Sequence, residues 1–392
     1  MICRVFKAIA MVVSVAAIEV STAAADGGPA LPKPTGDYAV GRVTYHLVDM
    51  ARKDEWGSHK DHKREFMVQV WYPAPSGSKG KPAPWLPAEW ARLEENAIIG
   101  RPLNRSAKEV GDFLASVVSH AQEGVPLASS PKRFPVILLA PGSLSFPSEY
   151  SSFAEDIASH GFVVVGDVAT GNVAAVSFPA GNVTRTYKGR DIFAEWAGDL
   201  IYEMDQLEVW NKAEGHLFFG RLDLDHIGAF GHSAGGMIVS RIPHMDKRVK
   251  AIVLNDPGIV RPEDGEAIPV LILKSNHKDS EFNRARVKWE TAFARKAKPG
   301  IQMKLVGGDH VNFGDLPLIM DFAHVGGDGK ALNDTVRTVL REFFGQYLLG
   351  KHSELIEKGS AKYPLLKIEV RHSRLRQVSL CVSGATTCFM ER

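Results

Sequence analysis

The chain has 392 residues, 45% of them apolar, and a formal net charge of +2. That is enough apolar material for a large core, and the charge balance excludes a protein held to nucleic acid by a basic surface. Its basic residues are scattered rather than gathered into a dense run.

The amino terminus has the pattern of an export signal. Arg4 and Lys7 precede an apolar run from Ala8 to Ile18, and Ala23-Ala24-Ala25 offers a small-residue cleavage site. The apolar run is too short to span a bilayer. We therefore expect residues 1–25 to be a signal peptide and the mature protein to be periplasmic or secreted. Loss of that segment removes Cys3, leaving Cys381 and Cys388 either paired across a small loop or as two free thiols. Residues 26–366 are expected to form one catalytic domain. The tail 367–392 has no structure that its sequence assigns.

After a Gly/Pro-rich leader, Val40–Val48 and Phe66–Tyr72 have strand character. The turn between them carries His59, Asp61 and His62 without an organised third ligand, which fits a solvated loop better than a metal site. Residues 76–130 have the character of an insertion or cap. They include Trp85-Leu86-Pro87-Ala88-Glu89-Trp90 and a helical pattern through Val110, Phe113, Leu114, Val117 and Val118. Such a segment could cover an active site, meet a lipid surface, or simply pack on the core.

Strands and helices then alternate. Apolar strands are expected at Pro135–Ala140, Phe162–Val168, Ile227–Phe230, Val249–Leu254 and Val270–Leu273, with a further strand at Gln302–Val306. Helices are expected at Glu149–Ser159, around Ile192–Trp210, at Val287–Ala297 and at Val336–Leu348. Continuous apolar strands between amphipathic helices predict an α/β fold, a mostly parallel sheet covered on both faces. In such sheets the chemistry sits beyond the carboxyl ends of the strands.

One such end carries Gly231-His232-Ser233-Ala234-Gly235. This is a G-x-S-x-G sequence between a strand and a helix, the context of a nucleophile elbow. Gly231 and Gly235 would leave room where strand and helix pass closely, and Ser233 would be the nucleophile. A serine hydroxyl needs an imidazole base, and the imidazole a carboxylate to fix its tautomer. In chain order the α/β-hydrolases place them as Ser, then acid, then His. His310, after the strand ending at Val306, is the candidate base, preferred over His244, His277 and His324. Asp256 and Asp279 both follow strands and both remain open as the acid from spacing alone. The oxyanion donors are expected to be the backbone N–H groups of Ala234 and of Ser143, which follows Gly142 in the loop after Pro135–Ala140.

Several stretches together resemble the platelet-activating-factor acetylhydrolases of the plasma and intracellular type II kind and their bacterial relatives. They are Val70-Trp71-Tyr72-Pro73-Ala74, Phe134 to Gly142, Asp156-Ile157-Ala158-Ser159-His160-Gly161-Phe162, the elbow, and Asp309-His310-Val311-Asn312-Phe313-Gly314-Asp315. The resemblance implies an α/β-hydrolase fold and selects Asp256, 23 residues after Ser233, as the acid. It also implies a serine esterase that needs neither metal nor cofactor and removes short or oxidised sn-2 acyl groups from phospholipids. Two positions depart from the family pattern. Ala140-Pro141 stands where the family has Ser-His, and Ala234 stands where it has Phe. A broad carboxylesterase or polyester hydrolase is the alternative, and a non-catalytic binding protein on the same fold is a third reading.

Overall fold

The computed structural model describes residues 29–54, 63–87, 90, 106–173, 175–184, 192–276, 280–323 and 329–372. The expected signal segment, the His59–His62 turn, Ala88, Glu89, His277, Asp279, His324 and the two late cysteines lie outside these residues.

Thirteen strands are present among the described residues: β1 (Ala39–Lys53), β2 (Lys63–Ala74), β3 (Lys81–Pro84), β4 (Val118–Glu123), β5 (Phe134–Ala140), β6 (Val163–Val168), β7 (Ala175–Phe178), β8 (Gly181–Thr184), β9 (Leu222–His232), β10 (Val249–Asn255), β11 (Val270–Lys274), β12 (Gly300–Leu305) and β13 (Leu366–His372). Eleven form one sheet in the order β13-β12-β11-β10-β9-β5-β6-β2-β1-β4-β3, and β7-β8 is a separate hairpin. The six strands from β12 to β6 run parallel. They are flanked by antiparallel β13 and β2.

Every residue of β5, β6 and β11 is buried. The alternation along β5 shows why both faces must be covered. Val136, Leu138 and Ala140 pack with Trp196, Leu200, Ile238 and Ile242 of the helices Ile192–Lys212 and Ala234–Met245. Ile137 and Leu139 pack on the other face with Phe153, Ile157, Val336 and Phe344 of the helices Ser151–Ser159 and Gly329–Leu349. Burial of these two layers, at roughly 25 cal/mol per Å² of apolar surface, is the main force holding the sheet in place.

Three segments that the sequence left open are placed. Of the described residues within 76–130, β3 and β4 extend the central sheet beyond β1. Trp85 and Trp90 are not a lipid-facing patch. Both are buried in a third apolar cluster with Leu114, Phe146, Val173, Phe178 and Leu318, and Trp90 stacks on Phe146 at 5.1 Å. The tail is also not wholly separate, since β13 pairs with β12 from Leu366 to His372. No helix among the described residues is long and apolar enough to cross a membrane.

Candidate active site

Ser233 sits between β9 and the helix Ala234–Met245 with φ 55° and ψ −115°. Positive φ is costly for a residue with a side chain, so the surroundings must hold it. They do so through the backbone. Ser233 N–H donates to the Asn255 carbonyl at 3.0 Å, and its own carbonyl accepts from Gly258 at 3.1 Å and Met237 at 3.2 Å. The two glycines are required by contact. A Cβ on Gly231 would lie 2.4 Å from the Gly235 carbonyl oxygen, and one on Gly235 would lie 2.1 Å from that of Ala140. The second contact also shows how closely the elbow abuts the loop after β5.

Asp256 follows β10 in a left-handed turn, φ 41°, with its N–H on the Leu273 carbonyl at 2.7 Å. Its carboxylate is fully buried. It accepts from Ser275 N–H at 3.2 Å and Ser275 Oγ at 2.9 Å, and the Arg286 guanidinium lies 3.8 Å away. Ser275 is the residue just past β11, a position the strand pattern offers but that drew no notice from sequence.

The histidine loop is built to point one ring. Asn276 N–H ties the end of β11 to the Gly308 carbonyl at 2.9 Å. Asp309 caps the short turn His310–Phe313, its Oδ1 accepting from His310 N–H at 2.7 Å. It therefore faces away from the serine, as its adjacency to His310 suggests. His310 Nδ1 meets Asp256 Oδ2 at 2.6 Å, and Nε2 meets Ser233 Oγ at 3.0 Å. A carboxylate can only accept, so Nδ1 carries the proton and Nε2 is left to accept from the serine hydroxyl. The His310 side chain is 45% exposed while Asp256 is 0% exposed. The imidazole is thus open to solvent while the carboxylate is not.

The loop after β5 is also fixed. Gly142 N–H donates to Tyr150 Oη at 2.8 Å, so it is committed, and the next N–H is that of Ser143. Asn172 braces both sides, with Nδ2 on the Gly142 carbonyl and Oδ1 on Ser143 Oγ, each at 3.3 Å. Leu144 has φ 70° and bridges to Val173. Ala234 opens its helix, where the first N–H groups have no intrahelical partner. The structure thus brings Ser233, His310 and Asp256 into one hydrogen-bonded line and sets Ser143 and Ala234 on abutting segments. Tyr150, His232 and Asn172 were not legible as site residues, because only the fold brings them together. Among the described residues no group of three or more His, Cys, Asp or Glu side chains could hold a metal.

Comparison with known proteins bears on the fold and on the type of activity. Residues 23–181 match the model of the family described as platelet-activating factor acetylhydrolase, isoform II. A protein of Arthroderma benhamiae named "Probable 1-alkyl-2-acetylglycerophosphocholine esterase" is 25% identical over 85% of this chain and 92% of its own length. The platelet-activating factor acetylhydrolase of Canis lupus familiaris is 23% identical over 73% of this chain and 68% of its own. Together these matches support a place beside the platelet-activating factor acetylhydrolases within the α/β-hydrolase superfamily. The protein is a carboxylic ester hydrolase. Its fold also matches a ferulic acid esterase from Streptomyces cinnamoneus, with a TM-score of 0.73 and 26% identity, over 88% of this chain and 100% of the esterase. The family match ends before the elbow, so the reading of Ser233, Asp256 and His310 rests on the geometry above.

Proposed function

We propose that the protein hydrolyses short or oxidised sn-2 acyl esters of phospholipids through an acyl-enzyme on Ser233. The observation that carries this reading is the Asp256–His310–Ser233 line on a strained elbow in a chain similar to this family. Ser233 Oγ attacks the ester carbonyl as His310 Nε2 takes its proton, and Asp256 holds the resulting imidazolium. The N–H groups of Ser143 and Ala234 stabilise the oxyanion. Collapse expels the alcohol, which takes its proton from His310. Water activated by the same histidine then releases the acid. The step sequence needs no metal or cofactor. A phospholipid substrate agrees with the names of the two relatives, and the signal-like amino terminus with action after export.

A second reading, a broad carboxylesterase or polyester hydrolase, is favoured by the ferulic acid esterase likeness and by the small Ala234 beside the nucleophile. The complete Ser, Asp and His set argues against a non-catalytic binding role.

Purified protein would be assayed on short- and long-chain soluble esters and on a short-chain sn-2 phospholipid, with a serine-directed phosphonate as label. Turnover of the phospholipid with loss on labelling is the expected result. Labelling without phospholipid turnover would favour the general esterase. Ser233→Ala should lower kcat by about a million-fold, and full activity in that variant would remove the elbow from the mechanism.

A further inference from the structure

The site contains a second polar line that the mechanism above does not use. Tyr150 is buried, and its hydroxyl sits at the centre of it. The oxygen accepts the N–H of Gly142, in the loop after β5, at 2.8 Å. It also lies 2.8 Å from His232 Nδ1, so one hydroxyl bridges the loop and the imidazole. His232 is the variable residue of G-x-S-x-G, next to the nucleophile. Its ring lies against that of His310 at 4.7 Å and that of Phe313 at 5.8 Å. Its Nε2 is buried.

A proton on His232 would place a second cation against the His310 ring. Burial, and then the neighbouring His310, hold this imidazole far below its ordinary range, at about 3. It therefore stays neutral while His310 cycles through its charged form.

We infer that Tyr150 and His232 are positioning residues that tie the oxyanion loop to the general base, so that Ser143 N–H and His310 Nε2 are held in register on the same ester. This rests on the triad and oxyanion roles proposed above. Removing the phenol bridge frees Gly142 to turn and lets His310 shift, which weakens the transition state without touching ground-state binding.

The test compares Tyr150→Phe, His232→Leu and His232→Asn in the full protein, with Tyr202→Phe as a control remote from the site. Asn places an acceptor oxygen where His has Nδ1. Soluble ester hydrolysis, inhibition by a trifluoromethyl ketone analogue that forms an oxyanion on the serine, and phosphonate stoichiometry are measured. Tyr150→Phe and His232→Leu should each lower kcat roughly 10- to 100-fold, less than loss of a direct oxyanion donor. KM should stay within about twofold, and the inhibition constant should rise by the same factor as kcat falls. His232→Asn should recover most of the loss, and every variant should still titrate one serine per chain. Unchanged kcat in a folded, fully titrating variant would overturn the inference, as would a loss confined to KM or a failure of Asn to do better than Leu. If Tyr150→Phe does not fold, the His232 pair decides alone. If the wild-type chain is not labelled on Ser233, the underlying triad reading fails first and takes this inference with it.

Discussion

Two corners of buried carboxyl groups, one beyond β10 and one at the end of β6, show what burial does and does not make. Asp256, past the end of β10, is surrounded by donors: Ser275 N–H, Ser275 Oγ, His310 Nδ1 and the Arg286 guanidinium. Asp167 near the end of β6 and Glu203 on the helix beside it are also buried, but their oxygens lack well-formed hydrogen bonds. Burial first pushes both well above the usual carboxylate range, with the charge of Asp199 adding to it for Asp167 and those of Asp167 and Asp199 for Glu203, while the Trp196 indole opposes it at Asp167. Asp199 beside them is different again. Arg64 Nε at 2.9 Å, Arg64 Nη2 and Arg52 Nη2 at 2.8 Å all donate to it. The first corner orients a half-exposed imidazole. The second has no exposed partner to act upon, so its groups bear on stability rather than turnover.

The sharpest way to break this contrast is to neutralise a carboxylate in each corner. Asp256→Asn keeps the shape but presents an amide that no longer enforces a proton on His310 Nδ1. It should lower kcat about ten-thousand-fold. Asp167→Asn should leave kcat within about twofold, because it removes a charge that burial already disfavours. Steady-state kinetics on one soluble ester decides both. Equal losses in the two variants would mean that the Asp167 corner also supports the reaction.

Stability should show the opposite ranking. Arg64 is 0% exposed and lies between Asp199, the Thr170 carbonyl and Asp54. Arg64→Met leaves Asp199 buried with only Arg52, at a cost of about 3–5 kcal/mol by denaturant titration. The folded fraction should retain wild-type kcat. Ser275→Ala is the milder change in the first corner. It deletes one of the two Ser275 donors to Asp256, so kcat should fall about tenfold while the denaturation midpoint moves little. A tenfold loss is about 1.4 kcal/mol, the scale of one such hydrogen bond.

These residues also mark where sequence stops speaking. The central strands were legible because β5, β6, β10 and β11 are continuous apolar runs, and a strand buried on both faces has few other options. The edge strands were not. Lys81-Pro-Ala-Pro and Val118-Ser-His-Ala-Gln-Glu carry too much polar and Pro content to announce a sheet. Ser233 and His310 follow from a motif and a chain order. The acid did not follow from spacing, since two strand ends each offered an aspartate. What distinguishes Asp256 is the left-handed turn that aims it, with φ 41°. Asp199 and Glu203 were hidden differently. They share the helix face of Trp196, Leu200 and Leu207 at three- and four-residue spacing, and all five are buried. A reading that looks for apolar residues on a buried face passes over charged ones, although their spacing was there to be counted.

The last comparison concerns pH and the second corner. A carboxyl whose folded pKa is raised favours the folded state fully below its unfolded value, 3.8 for Asp167 and 4.5 for Glu203. That contribution is lost as pH rises toward the folded value. This corner therefore makes the protein progressively less stable from about pH 4 upward, by at most ~1.4 kcal/mol per pH unit for each group that holds its proton. His232 acts in the opposite sense, since its folded value of about 3 lies below the unfolded 6.5 and it costs stability as pH falls between the two. The double variant Asp167→Asn, Glu203→Gln should remove the first slope and leave the second. Denaturant midpoints measured between about pH 5 and pH 9 should then flatten on the alkaline side only, with kcat unchanged across the series. An unaltered alkaline slope would mean that these carboxyls are relieved of their protons by partners beyond Trp196, and that the two corners differ less than their hydrogen bonds suggest.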